Sequence, residues 1–167
     1  MTGWILLKIL HVFAGVLWVG GGVMMVIFIA PAVQATAPSG AAVMGHLVTK
    51  MKLPTVLNHS AWLSTLAGLV LYGRLYVQAG SAYFGTTAGI FLSVGALAGV
   101  FAFIGAVFIQ LPRSKKIAMM GGQAGPNPSP EQAAAIGAEQ KKFAFGGKIV
   151  VGFFVISLLG MLLSHPM

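Results

Sequence analysis

The chain has 167 residues, of which 57% are hydrophobic and 7% charged, and its mean hydropathy is +0.92, a balance that excludes a water-soluble domain of ordinary composition. The absence of cysteine excludes disulfides, thiolate metal sites, iron–sulfur clusters and c-type haem attachment, which leaves any metal or haem to His, Met, Lys or a carboxylate. The formal net charge is +8, but the basic residues are not gathered into a binding face, so no nucleic-acid partner is expected.

Four apolar stretches, at about 4–30, 55–78, 87–111 and 145–164, reach the roughly 20 residues that cross a hydrocarbon core as helix. The pattern predicts an all-α fold, a single integral-membrane four-helix bundle over 1–167 embedded in a lipid bilayer. The first stretch opens with interfacial Trp4 and ends near Ala30-Pro31. It is too long and too rich in glycine for a secretory signal peptide, so it is expected to be retained. Along it His11, Ala14, Gly15, Trp18, Gly21, Gly22 and Met25 fall on one helical face. From Pro38 to Lys52 the reading is a loop and then a short interfacial helix, with Val43, Leu47 and Met51 opposite His46, Lys50 and Lys52.

The second helix is expected to start at Pro54, where the missing N–H is harmless. Asn58, His59 and Trp62 give it a polar start, and it ends in the aromatic and basic run Leu71-Tyr72-Gly73-Arg74-Leu75-Tyr76. The third carries Gly95-Ala96-Leu97-Ala98-Gly99, a small-xxx-small face that admits another helix backbone closely. A polar loop over about 112–144 follows. Its stretch Gly121 to Pro130 is read as irregular, and Ser129-Pro130-Glu131-Gln132 has the layout of a capping box that starts a helix over about 130–142. This helix either lies at the interface or runs into the fourth span.

Eight of the ten basic residues, all but Lys8 and Arg74, lie in or beside the segments after the first and third helices. The positive-inside rule makes that side cytoplasmic and puts both termini outside, in the periplasm if the bilayer is a cell inner membrane. The two acidic residues, Glu131 and Glu139, lie outside the spans, which argues against carboxylate proton relays within the bilayer.

Chemistry is sought first at His11, because a titratable imidazole inside a spanning segment is expensive to place there. At 1.5 Å per residue it lies roughly 10 Å inside the membrane from Trp4. Three readings are open: a hydrogen bond across helices to Ser or Thr with no ligand at all, a haem or porphyrin contact, and copper. Small Gly15 and Gly22 beside Trp18 would admit a flat macrocycle, or simply a neighbouring helix. Arg74, in the same leaflet, is a candidate partner for a haem propionate, framed by Tyr72, Tyr76 and Trp4; the alternative is an ordinary interfacial anchor. His59 belongs to the opposite leaflet, His46 to the cytoplasmic loop, and His165 to the outer end of the fourth helix, where it is too shallow to pair readily with His11. Five-coordinate ligation by His11, or a sixth ligand such as Lys8 or a methionine, remains open. Met24-Met25 and Met119-Met120 are adjacent pairs without Met-x-x-Met spacing, which packing alone explains.

The pattern of His11, Trp18, Gly20 and Gly21 resembles the first helix of the CopD-like superfamily of small membrane proteins, which includes copper-resistance proteins, the haem-binding membrane protoporphyrinogen oxidases and many uncharacterised members. Met51-Lys52-Leu53-Pro54 followed by Trp62 and Gly68-Leu69-Val70-Leu71, together with a terminal His165-Pro166, resembles the same group. The resemblance implies haem b ligated in part by His11. The oxidases carry a lysine and a histidine on their third helix; Thr86 through Gln110 here has neither, so the uncharacterised members are the closer match. The expectation is a haem b-binding inner-membrane protein of electron transfer or of porphyrin or respiratory redox chemistry. The alternatives are a non-catalytic subunit or assembly factor packed in a larger membrane complex or homo-oligomer, and then a copper-handling protein.

Overall fold

The computed structural model describes residues 2–36, 39–125 and 127–164, and these are helical apart from short connections, with no strand among them. Helix α1, Thr2–Met24, passes through a π turn, Met25–Ile29, into α2, Ala30–Ala35. Helix α3 is Ser39–Thr49 and α4 is Leu53–Phe84. Helix α5, Thr87–Ile104, passes through a second π turn, Gly105–Gln110, into α6, Leu111–Ala124, and α7 is Pro130–Leu163.

Two prolines that the sequence reading treats as stops are crossed, and both in the same way. A proline inside a helix lacks the N–H for the i→i−4 bond, and its ring clashes with the carbonyl one turn back. Each π turn ends two residues ahead of such a proline. Ala30 N–H, before Pro31, bonds the carbonyl of Met25, and Leu111 N–H, before Pro112, bonds that of Ala106. Widening the turn by one residue lets the helix continue, so the first helix reaches Ala35 and the third reaches Ala124.

The expected polar loop over 112–144 is therefore mostly helix. The run Thr87–Ala124 has 38 residues and is about 57 Å long, nearly twice a ~30 Å hydrocarbon core. Helix α7 absorbs the short helix expected over 130–142 into one continuous element. Its capping box forms: Ser129 Oγ accepts from Gln132 N–H at 3.2 Å, and Ser129 N–H donates to Gln132 Oε1 at 2.9 Å. Helices α6 and α7 thus form an antiparallel stalk, with Gly125 at φ +70° after α6.

Helix α4 starts after Lys52, which takes a left-handed conformation at φ +52°. It runs past the expected end at 78, but Gly80, at φ +72° and ψ 172°, breaks it. This conformation, open to glycine, turns the chain back, so that Phe84 lies on Tyr72 and Tyr76 with ring centroids 5.1 and 5.5 Å apart. Thr86 then caps α5 by accepting from Gly89 N–H.

Helices α1 and α4 form one closely packed pair, and α5 and α7 the other; α4 and α5 join them. In the second pair a Cβ on Gly160 would stand 2.6 Å from the Cα of Gly95, so the helices meet backbone to backbone. Between the pairs, Trp18 meets Phe154 and Phe103 edge to face with centroids 5.0 and 6.3 Å apart. Ala61, Ala102 and Val150 complete a core to which α1, α4, α5 and α7 all contribute. Apart from Gln110, the remaining buried positions are small, among them Ala14, Ala67, Ala98, Ser60, Ser64 and Ser157, while Phe13, Leu17, Leu66, Leu97 and Leu159 face outward. Small residues inside and large apolar ones outside is the distribution suited to helices whose solvent is lipid. Three helical runs, Gly3–Ala35, Thr87–Ala124 and Pro130–Leu163, are long and apolar enough to cross a membrane.

Candidate functional site

His11 sits on the face of α1 that meets α4. Its Nδ1–H donates to the backbone carbonyl of Ser64 at 2.8 Å, and the Ser64 hydroxyl donates to the carbonyl of His11 at 3.2 Å. The ring lies on Gly68, where a Cβ would come within 2.8 Å of His11 Cε1. A carbonyl only accepts, so Nδ1 carries a proton, and in the neutral ring Nε2 is the nitrogen with the free lone pair. Nε2 has no hydrogen-bond partner among the described residues. A cross-helix bond of the kind foreseen is thus formed, to the backbone of Ser64.

The other residues on this face are held by protein contacts. Gly15 faces the Ser64 hydroxyl, and a Cβ there would meet it at 3.2 Å. Gly22 faces the Phe154 ring at 3.0 Å by the same measure, and Gly21 the Leu57 side chain. Trp18 is buried in the core between Phe103 and Phe154. Of the two options the glycines left open, close approach of neighbouring helices is the one realised at these positions.

Arg74 lies further along the same α1–α4 seam, beside the start of α1. Its guanidinium stacks over Trp4 with Cζ 3.9 Å from the ring centroid, and its Nε–H donates to Gln78 Oε1 at 3.1 Å. These residues and Val70, Gly73 and Val77 line an open groove of about 510 Å³, within the range of small-molecule sites. Trp4 is seven residues before His11 on α1 and so shares its face. Tyr72 is directed elsewhere. Ser93 Oγ donates to Gly89 O, so the Tyr72 hydroxyl is the donor in its 2.8 Å bond to Ser93.

The remaining histidines are not brought to His11. His46 is exposed on α3. His59 is exposed on α4 and donates through Nδ1 to Thr55 O of its own helix. His165 lies outside the described residues, as does Pro166. Among the described residues no three His, Cys, Asp or Glu side chains gather to hold a metal ion.

Sequence reasoning missed Ser64 and Gly68 as the partners of His11. The signal was present as a small-xxx-small pair on the second helix. It missed Gln110 as well. That buried amide donates through Nε2 to Phe143 O at 2.7 Å, and its Oε1 has no partner.

Comparison of the chain with family models, curated proteins and solved structures finds no match.

Proposed function

We propose that the protein is a four-span inner-membrane protein, with both termini on the periplasmic side, in which His11 would hold a haem b that would serve electron transfer. The observation that carries this reading is the bond from His11 Nδ1–H to Ser64 O. A ligating histidine donates its other ring nitrogen to a carbonyl or carboxylate, which fixes the tautomer and the ring plane. The chain would supply one nitrogen ligand here, His11 Nε2. The fit beside it is narrower than the glycine pattern suggested, because Ser64 and Phe154 take the space next to Gly15 and Gly22. The open groove at Trp4, Gly73 and Arg74 lies on the same α1–α4 seam, but His11 does not line it.

In this reading the haem iron supplies one-electron chemistry. Ser64 orients the imidazole, and Gly68 leaves room for the ring against α4. Arg74 offers charge and N–H donors to a carboxylate beside Trp4. Trp18 fixes α1 against the core. Helix α4 is taken as the fourth span because it packs between α1 and α5; Asn58, His59, Ser60, Ser64, Thr65, Arg74 and Gln78 make it the most polar of the four. The cytoplasmic assignment of the α6–α7 stalk rests on its Lys and Arg residues.

A second reading, a non-catalytic subunit or assembly factor of a membrane complex or homo-oligomer, is favoured by the filling of the glycine face by protein. The two are separated by the reduced-minus-oxidised visible spectrum of the detergent-purified protein beside its His11→Ala variant, with metal analysis on both. A haem b spectrum that is lost in the variant is the result expected. A colourless wild type that leaves the membrane with a partner chain would support the subunit reading instead.

A further inference from the structure

Away from the α1–α4 seam, a groove of about 480 Å³ runs between α5 with its π turn and α7. Its walls are mostly apolar, formed by Phe101, Ile104, Phe145, Ile149 and Phe153, with Gly105, Gly146 and the amide of Gln110 also lining it. Phe101 and Phe145 stand exposed at its mouth, on two of the helices apolar enough to span a membrane. From Phe101 to Arg113 it extends about 18 Å along the helix. The groove therefore faces acyl chains along a length suited to holding one.

One end of the groove is cationic. Arg113 and Lys142 line it there, where α5 has become α6 and the stalk begins. The nearby Glu139 carboxylate accepts from Lys116 at 3.0 Å and Lys142 at 3.2 Å, and stands 3.7 Å from Arg113 Nε. Three cations on one carboxylate leave a surplus of two positive charges (3 − 1). The donors are also underused. Among the described residues Arg113 makes one further hydrogen bond, from Nη1 to Lys142 O, and Lys142 makes only the one to Glu139, although a guanidinium has five N–H groups and an ammonium three.

We propose that this groove is a binding site for one anionic glycerophospholipid, with an acyl chain between α5 and α7 and the phosphodiester between Arg113 and Lys142. An apolar slot that ends in unspent cationic donors at the membrane surface matches the order of groups along such a lipid. The uncompensated charge selects a headgroup without an ammonium. The site is separate from His11 and does not depend on the haem reading.

The test is native mass spectrometry of the full-length protein in detergent, with phosphatidylglycerol, phosphatidylcholine or inorganic phosphate added. Wild type is expected to retain one phosphatidylglycerol and to prefer it to phosphatidylcholine. The double variant Arg113→Gln/Lys142→Gln should bind it at least about tenfold more weakly. Lys115→Gln/Lys141→Gln, which removes the same charge from outside the groove, should bind as wild type does. Ile149→Trp, which fills the slot at an exposed position without altering charge, should also lose the lipid. Equal loss in both charge variants, retention in Ile149→Trp, equal retention of phosphatidylcholine, or displacement of the lipid by millimolar inorganic phosphate would each overturn the proposal.

Discussion

His11 and Ser64 hold each other through two bonds of opposite direction. The imidazole Nδ1–H donates to the Ser64 carbonyl at 2.8 Å, and the Ser64 hydroxyl donates to the His11 carbonyl at 3.2 Å. The first bond fixes the tautomer, and the second ties α1 to α4. Because the bond that sets the tautomer uses backbone, it survives a change of the serine side chain. Ser64→Ala is expected to lower stability by only about 0.6 kcal/mol, the typical worth of such a bond within a membrane, and to leave Nδ1 protonated. Thermal unfolding in detergent and histidine side-chain nitrogen NMR check both.

Gly68→Ala should do what Ser64→Ala does not. Its Cβ would stand 2.8 Å from His11 Cε1 and 3.0 Å from Nδ1, so the ring must turn and release Ser64 O. We expect a stability loss of about 1–3 kcal/mol and loss of the single Nδ1-protonated tautomer in the same NMR spectrum.

The Gly95–Gly160 contact gives a contrast within one helix. A Cβ on Gly160 meets backbone, with Gly95 Cα and Phe91 O both at 2.6 Å, whereas nothing lies within 4 Å of one on Gly152. Backbone cannot turn aside, so Gly160→Ala should destabilise by about 1–3 kcal/mol. Gly152→Ala should stabilise by up to about 1 kcal/mol through helix propensity. Opposite signs in thermal unfolding are the expected outcome.

Gln110 is a buried amide with one partner of the two it needs: Nε2 reaches Phe143 O at 2.7 Å, while Oε1 is unpartnered. Gln110→Leu loses a bond worth about 1 kcal/mol but removes a stranded polar atom that costs about 1–3 kcal/mol. Stability unchanged or raised is expected. A loss above about 2 kcal/mol would show that the amide has a partner.

Glu139 makes the stalk sensitive to acid. Hydrogen bonds from Lys116 and then Lys142 hold its carboxyl below the usual range. A carboxylate whose pKa is depressed by folding contributes stability above its unfolded pKa and loses it as pH falls through the folded value. The α6–α7 pairing is therefore expected to be unchanged between pH 7 and 5 and to loosen below about pH 4.3. Hydrogen exchange over 111–142 should rise there in wild type, while Glu139→Gln should show the faster exchange already at pH 7.

Much of this architecture was legible in particular residues. The small-xxx-small run at Gly95 marks the contact with α7, Ser129 to Gln132 form the capping box, and the seven-residue step from Trp4 to His11 sets both on one face. What was not legible arises from tertiary compensation. Pro31 and Pro112 read as stops because a lone helix has no remedy for a missing N–H, whereas a π turn ahead of each absorbs the defect. Glycine spacing on α1 could not say whether a helix or a macrocycle comes close, since both need the same absence of side chain. That depended on Ser64 and Phe154, 49 and 132 residues away from Gly15 and Gly22 in the chain. The pairing of His11 with Ser64 was hidden for the same reason: the acceptor is a backbone carbonyl, which residue identity does not mark.

The measurement that tests ligation by His11 most directly is the visible spectrum of His11→Gly, reconstituted with haem b and titrated with free imidazole. The account predicts that the wild-type reduced spectrum is lost in the variant and returns as imidazole occupies the vacated position. A variant that keeps the wild-type spectrum without imidazole would contradict it.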